Sequence, residues 1–243
     1  MKVVAMIPAR LGATRFPRKL LQDLKGKTVI QRTFEGTVAS NLFDEVYVVT
    51  DSQEIFDHIE NVGGKVLLSQ KEHESGSDRI AEAASQVDAD IIVNVQGDEP
   101  FIAVESIRSL LNVFVEDISQ EVDMVSLMFP ISERATIENP NNVKVVTDVS
   151  DFAMYFSRAP IPFDRDGSLS GKYFKHIGIY AFRKEALLKA TSLPLNLLET
   201  TEKLEQLRFI AHGIKIKMVP THEQPIGIDT PEDLQEAIKK LTK

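Results

Sequence analysis

A run of cations and a single glycine follow the first apolar stretch of the chain. Val3 to Ile7 reads as a buried strand, and Pro8 ends it in a loop carrying Arg10, Gly12, Arg15, Arg18 and Lys19. Glycine lets backbone approach a ligand closely, and peptide N–H groups beside fixed cations suit phosphate oxygens. Residues 1–32 hold eight Lys or Arg and one acid, Asp23, a charge of +7. The other residues carry 20 basic and 35 acidic side chains, or −15. That asymmetry within an acidic protein points to an anionic ligand near the N-terminus, and it favours a phosphate site over a solvated basic loop.

Two carboxylates offer a second chemistry. Gln96-Gly97-Asp98-Glu99-Pro100 directly follows a strand-like run, where an Asp can hold Mg²⁺ against substrate phosphates. The plain alternative is a turn in which Asp98 bonds nearby backbone. Asp229 precedes Thr230-Pro231, and its plain alternative is a redundant capping carboxylate. Brought together, the two would suffice for Mg²⁺, which takes only one or two carboxylates from protein. Ser75-Gly76-Ser77-Asp78-Arg79 reads as a helix start, and such a start can also offer N–H groups to a base or phosphate. Arg158 lies among apolar residues and prolines, as either a structural ion-pair partner or a fork for a substrate carboxylate. Strand alternation puts His176, Gly178 and Tyr180 on one face, where a satisfied, half-buried His is the reading that spacing favours.

Other patterns are set aside. There is no G-x-x-x-x-G-K-[ST] and no G-x-G-x-x-G after the first strand, so P-loop and dinucleotide-fingerprint readings fail. Asp88-Ala89-Asp90 mimics the acid-x-acid metal motif of glycosyltransferases but precedes its strand, and a turn is expected there. His58, His73, His212 and His222 lack metal-ligand spacing and receive no role.

The elements that must position these residues alternate. Val46–Thr50, Lys65–Leu68 and Ile91–Val95 read as further strands, with helices expected over roughly 52–61, 78–87 and 104–115. This order implies an α/β fold, a mostly parallel sheet with helices on both faces and ligands beyond the carboxyl ends of strands. Val143–Val146, Ala153–Phe156 and Ile177–Phe182 are strand-like, so roughly 130–185 is read as a sheet extension suited to pairing subunits. Later come a helix over Glu199–Ala211, a strand over Ile214–Val219 and a last helix capped by Thr230. One domain spanning 1–243 is expected.

The 243 residues, 43% hydrophobic, are enough to bury a large core. The chain has no cysteine, which excludes disulfides, thiolate catalysis and Cys-ligated zinc and suits a cytoplasmic setting. Residues 2–7 are too short for a signal peptide, and no run reaches membrane-spanning length. A net charge of −8 argues against nucleic-acid binding.

Taken together the motifs resemble a known family. Pro8-Ala9-Arg10 with Thr14-Arg15-Phe16-Pro17 and Lys19 resembles the signature of sugar-acid cytidylyltransferases. The stretches Asn94–Pro100, Asn139-Pro140-Asn141 with Val143–Val146, Tyr155–Pro160, His176–Tyr180, Leu204–Arg208 and Asp229–Asp233 resemble the branch acting on 3-deoxy-manno-octulosonate (Kdo). The resemblance implies a Rossmann-like, nucleotide-diphospho-sugar transferase-like fold and a homodimer. It implies Mg²⁺-dependent transfer of CMP from CTP to Kdo, with the product feeding lipopolysaccharide assembly. By the same resemblance, Arg10, Arg15 and Lys19 bind the CTP phosphates, with Lys19, Arg15 and Asp98 catalytic. Ala9, Ser75, Gly76, Arg79 and Gln96 line the cytidine side, and Asp98 and Asp229 hold Mg²⁺. Arg158 grips the Kdo carboxylate, with Gln96, Arg165, His176, Tyr180, Glu205 and Gln206 around the sugar. Where the family loop usually reads Ser-Thr-Arg-Leu-Pro-Gly-Lys-Pro, this chain has Ala13, Arg18 and Leu20 in place of the Ser, the Gly and the second Pro. Arg18 lacks the glycine's freedom at positive φ and is expected to add a cation. Alternatives are a cytidylyltransferase for sialic acid or 8-amino-Kdo, a non-catalytic nucleotide-binding regulator, and a glycosyltransferase.

Overall fold

The computed structural model describes the chain except residues 13–15, 72, 74, 168–172, 224, 225 and 243. It groups into two compact units, Met1–Val104 with Pro225–Lys243, and Glu105–Gln224.

The first unit is built on apolar runs that are buried on both faces at its centre. Strands β1 (Val3–Ala9), β2 (Glu45–Thr50), β3 (Lys65–Leu68) and β4 (Ile91–Asn94) pair in the order β3-β2-β1-β4, every pair parallel. Val4 to Ile7 and Ile91 to Val93 are fully buried, as expected for central parallel strands. Helices α1 (Val29–Ala39), α2 (Gln53–Asn61) and α3 (Gly76–Ala84) form the crossovers, and α9 (Pro231–Lys240) closes the unit. Side chains at the N-caps fix where they start. Thr28, Ser52 and Ser75 accept from the N–H three residues on, and Thr230 forms a capping box with Asp233 behind Pro231. Helix α1 was not read from the sequence. Asp88 and Asp90 are in the turn before β4, where Asp90 accepts from the Lys2 N–H at 2.6 Å.

The second unit opens with α4 (Val104–Glu116) and is mixed. Strand β5 (Met124–Ile131) pairs antiparallel with β8 (Tyr173–Arg183) and parallel with β9 (Ile216–Pro220). After the short helix α5 (Arg134–Glu138), β6 (Lys144–Thr147) pairs antiparallel with β7 (Ala153–Ser157) and with β8. The sheet therefore begins at Met124, before the expected start near 130, because the apolar run of β5 supplies its central strand. Helix α6 (Lys184–Ser192) follows β8. The single helix expected over 199–211 is two, α7 (Leu197–Glu202) and α8 (Gln206–Ala211). Lys203 breaks it by taking φ 55°, left-handed backbone that no helix continues through.

Candidate active site

The carboxyl ends of β1 and β4 and the N-terminus of α3 surround a cavity of about 280 Å³. Its wall includes Pro8, Ala9, Arg10, Gly12, Lys19, Ser75, Gly76, Arg79, Gln96, Gly97, Asp98 and Asp229. Every described nucleotide-side and metal candidate is thus brought to one place, and Arg15 lies outside the described residues. Phe16, Leu20 and His73 line it too. His73 has no metal-ligand spacing in the sequence, and no other local motif marks it. Its Nε2 faces Glu82 Oε2 at 2.5 Å.

Gly97 permits the loop after β4 to close on the end of β1. A Cβ there would lie 2.9 Å from the Pro8 carbonyl oxygen. The Gly97 carbonyl in turn accepts from Thr33 Oγ1 of α1 at 3.0 Å.

Lys19 is at the start of a 3₁₀ turn, Lys19–Leu21, and its Nζ lies 2.5 Å from Asp98 Oδ2 and 2.7 Å from Asp229 Oδ1. The two carboxylates that sequence could not place together therefore share one cation, 131 positions and a whole second unit apart in sequence. Burial opposes the charge on Lys19, but the two carboxylates outweigh it and hold the ammonium above its ordinary pKa. Next to them, burial and the negative charges of Asp98 and Asp229 push the Glu99 carboxyl up to about 8. The Ile228 N–H donates to the Asp98 carbonyl at 2.9 Å, tying the loop before α9 to the loop after β4. Asp229 is more than a capping residue, since Asp233 already accepts from the Asp229 and Thr230 N–H groups.

Arg18 does take the conformation its glycine counterpart would, with φ 56° and ψ 28°. Its guanidinium pairs with Glu54, so its charge is committed to that carboxylate on α2. Arg79, 3% exposed, donates from Nη2 to Asp51 Oδ2 at 2.6 Å. Asp51 was missed in the sequence because a lone acid after a strand carries no motif.

In the second unit, Ser126 on β5 and His176 on β8 form a buried pair, with Oγ to Nε2 at 2.9 Å. The same hydroxyl faces the carbonyls of Ile177 and Ile179, which only accept. Its one proton goes to a carbonyl, so His176 donates from Nε2 and keeps Nδ1 unprotonated. Burial pushes the His176 imidazole down to about 3. His176 packs against Phe156 at 5.0 Å and Tyr180 at 5.4 Å, and its side is therefore shared with Tyr180 as strand alternation predicted. A bulge in β8 opposite Ser126 and Leu127 lies between them. Burial, with the Glu205 charge, pushes the Tyr180 phenol up.

Among the described residues, the Arg158 guanidinium forms no ion pair with a carboxylate side chain, unlike the plain reading. Its guanidinium donates to the carbonyls of Glu202 at 2.8 Å and Pro140 at 3.0 Å, while its N–H donates to Glu202 Oε2. Beneath it, the fully buried Lys144 donates to the carbonyls of Asn139, Asn142 and Arg158 at 3.1, 2.5 and 2.6 Å. Lys144 was quoted only as part of a motif, although a lysine inside an apolar run was a signal in itself. Gln206 is buried at the start of α8, and Arg165 is exposed.

Comparison with known proteins shows the family. The family model described as Cytidylyltransferase matches residues 4–216. A relative from Christiangramia forsetii named 3-deoxy-manno-octulosonate cytidylyltransferase is 58% identical over 241 residues, 99% of this chain and 97% of its own. The chain belongs to the 3-deoxy-manno-octulosonate cytidylyltransferase family. The Flavobacterium johnsoniae member is likewise 58% identical, over 98% of this chain and 97% of its own. A CMP:2-keto-3-deoxy-manno-octonic acid synthetase solved in complex with CTP superposes with a TM-score of 0.93 at 37% identity, covering 100% of this chain and 99% of that one. Membership makes the chain a nucleotidyltransferase with the Rossmann-like fold of that family. Among the described residues, no helix is long and apolar enough to cross a membrane.

Proposed function

We propose that the chain transfers CMP from CTP to the anomeric 2-hydroxyl of Kdo, giving CMP-Kdo and pyrophosphate. The observation that carries this reading is the convergence of Lys19, Asp98 and Asp229 at one wall of the cavity between the β1 loop and the start of α3. Arg10, Arg15 and Lys19 hold the triphosphate. Ala9, Ser75, Gly76, Arg79 and Gln96 take the cytidine. In the second unit, Arg158 is assigned to the Kdo carboxylate, and Arg165, His176, Tyr180, Glu205 and Gln206 to the sugar.

The residues fit Mg²⁺. Two carboxylates already share one cationic centre, Lys19 Nζ, and hard oxygen donors in that number are what this ion takes from protein. Mg²⁺ bound at Asp98 and Asp229 supplies charge neutralisation at phosphate oxygens. The sugar hydroxyl attacks the α-phosphorus and pyrophosphate leaves in line. Lys19 and Arg15 stabilise the phosphate charge, and the chain's contribution is positioning and electrostatics without a covalent intermediate. We further assign a homodimer acting in the cytoplasm, with CMP-Kdo passed on to lipopolysaccharide assembly.

Asp98→Asn tests the reading. It keeps the shape and removes the charge, and kcat is expected to fall by about 10²–10³ with Mg²⁺ present. Near-normal turnover would refute the role of Asp98.

A further inference from the structure

Arg79 is held on one side only. It lies in the first turn of α3, lines the cavity and is 3% exposed. Nη2 is engaged by Asp51, while among the described residues Nη1 has no hydrogen-bond partner. A buried guanidinium with unused donors is costly unless a ligand completes it. Asp51 is not part of the cavity wall. It follows Thr50, the last residue of β2, which pairs in parallel register with Ala9 of β1. The end of β2 therefore carries a carboxylate behind Arg79, and the end of β1 carries the cavity's own backbone.

The geometry points to Asp51 as a positioning residue that fixes Arg79 so that Nη1 reads the acceptor edge of a cytosine ring, giving this enzyme its choice of CTP over UTP. This rests on the reading of the cavity as the CTP site. Cytosine presents acceptors at both O2 and N3, and uracil carries an N–H donor at N3. Donors fixed on that edge are satisfied by cytosine and left facing a donor by uracil. A site built on such a hydrogen bond rejects the mismatched ligand far more strongly than a hydrophobic pocket can. The discrimination depends on the guanidinium staying in one orientation. A single 2.6 Å bond from Asp51 holds Nη2 while leaving Nη1 unused. Loss of that bond frees the guanidinium to turn, and both pyrimidines then meet a less defined donor.

The test uses the full-length protein with Asp51→Ala, Asp51→Asn and Arg79→Ala, each checked for a cooperative thermal transition. Steady-state kinetics give KM for CTP, KM for Kdo and the ratio of kcat/KM for CTP to that for UTP. Asp51→Ala is expected to raise KM for CTP and lower the CTP/UTP ratio, each by about tenfold, with KM for Kdo unchanged. Asp51→Asn, which keeps an acceptor oxygen, is expected to recover part of the preference. If Arg79→Ala loses the preference and both Asp51 variants keep it, the inference about Asp51 is wrong and the cavity reading stands. If Asp51→Ala raises both KM values equally with the CTP/UTP ratio intact, its role is structural and the inference is likewise overturned. If wild-type protein and Arg79→Ala handle CTP alike, the cavity reading itself fails and takes the inference with it.

Discussion

His176→Gln separates a titrating imidazole from its packing. The unfolded imidazole takes up a proton near 6.5 and the folded one near 3, because the folded ring is buried against Phe156 and Tyr180. Between those values the unfolded chain binds more protons, so the contribution to stability is fully present above pH 6.5 and is lost as pH falls below it. At pH 5 the group has lost about 1.5 pH units' worth of linkage, or about 2 kcal/mol, and at pH 7.5 almost nothing. Glutamine reaches the position of Nε2, keeps an N–H for Ser126 Oγ and does not titrate. Urea unfolding of wild type and variant at pH 7.5 and pH 5 gives four stabilities. The variant is expected to be less stable at pH 7.5 through lost packing, and the gap is expected to close by about 2 kcal/mol at pH 5. All other titrating groups cancel in the difference. A gap of the same size at both pH values would show that His176 titrates alike in the folded and unfolded chain, and the buried, singly protonated imidazole would be refuted.

Arg18 sits in left-handed backbone at φ 56°, so Arg18→Val is expected to destabilise the protein by about 1–2 kcal/mol in urea unfolding. Arg18→Gly is expected to stay within about 1 kcal/mol of wild type, because relief of the backbone offsets the loss of the exposed pair with Glu54. Arg158→Ala is expected to raise KM for Kdo far more than KM for CTP. Because its guanidinium also serves the Pro140 and Glu202 carbonyls, the variant is expected to lose about 1–3 kcal/mol of stability as well. Equal rises in the two KM values would remove Arg158 from the carboxylate role.

The first unit was largely legible because its central strands are buried and its helix starts carry capping residues. Val3–Ile7 and Ile91–Val93 are continuous apolar runs, and Thr230-Pro231 announces α9. What stayed hidden was long-range. Nothing local says that Asp229 meets Asp98 across Lys19, or that Asp51 backs Arg79. The break between α7 and α8 was hidden for a different reason, since Lys203 is an ordinary helix former and yet takes left-handed backbone. The roles proposed for Lys19, Asp98 and Asp229 came from family motifs, and the structure adds that the three side chains meet in one electrostatic centre. Arg158 shows the limit of reasoning from residue type. A lone Arg among apolar residues was read as ion-paired or ligand-facing, and its fork proved to be spent in part on backbone carbonyls.

Pyrophosphate release by the purified protein tests the central claim most directly. With CTP, Kdo and Mg²⁺ together, release is expected, and omission of any one is expected to abolish it. ATP, UTP, sialic acid and 8-amino-Kdo are run in parallel and are expected to support little turnover. Release with sialic acid or 8-amino-Kdo in place of Kdo would contradict the assigned sugar and leave the chemistry. No release from any pair, by folded protein that still binds CTP, would contradict the account.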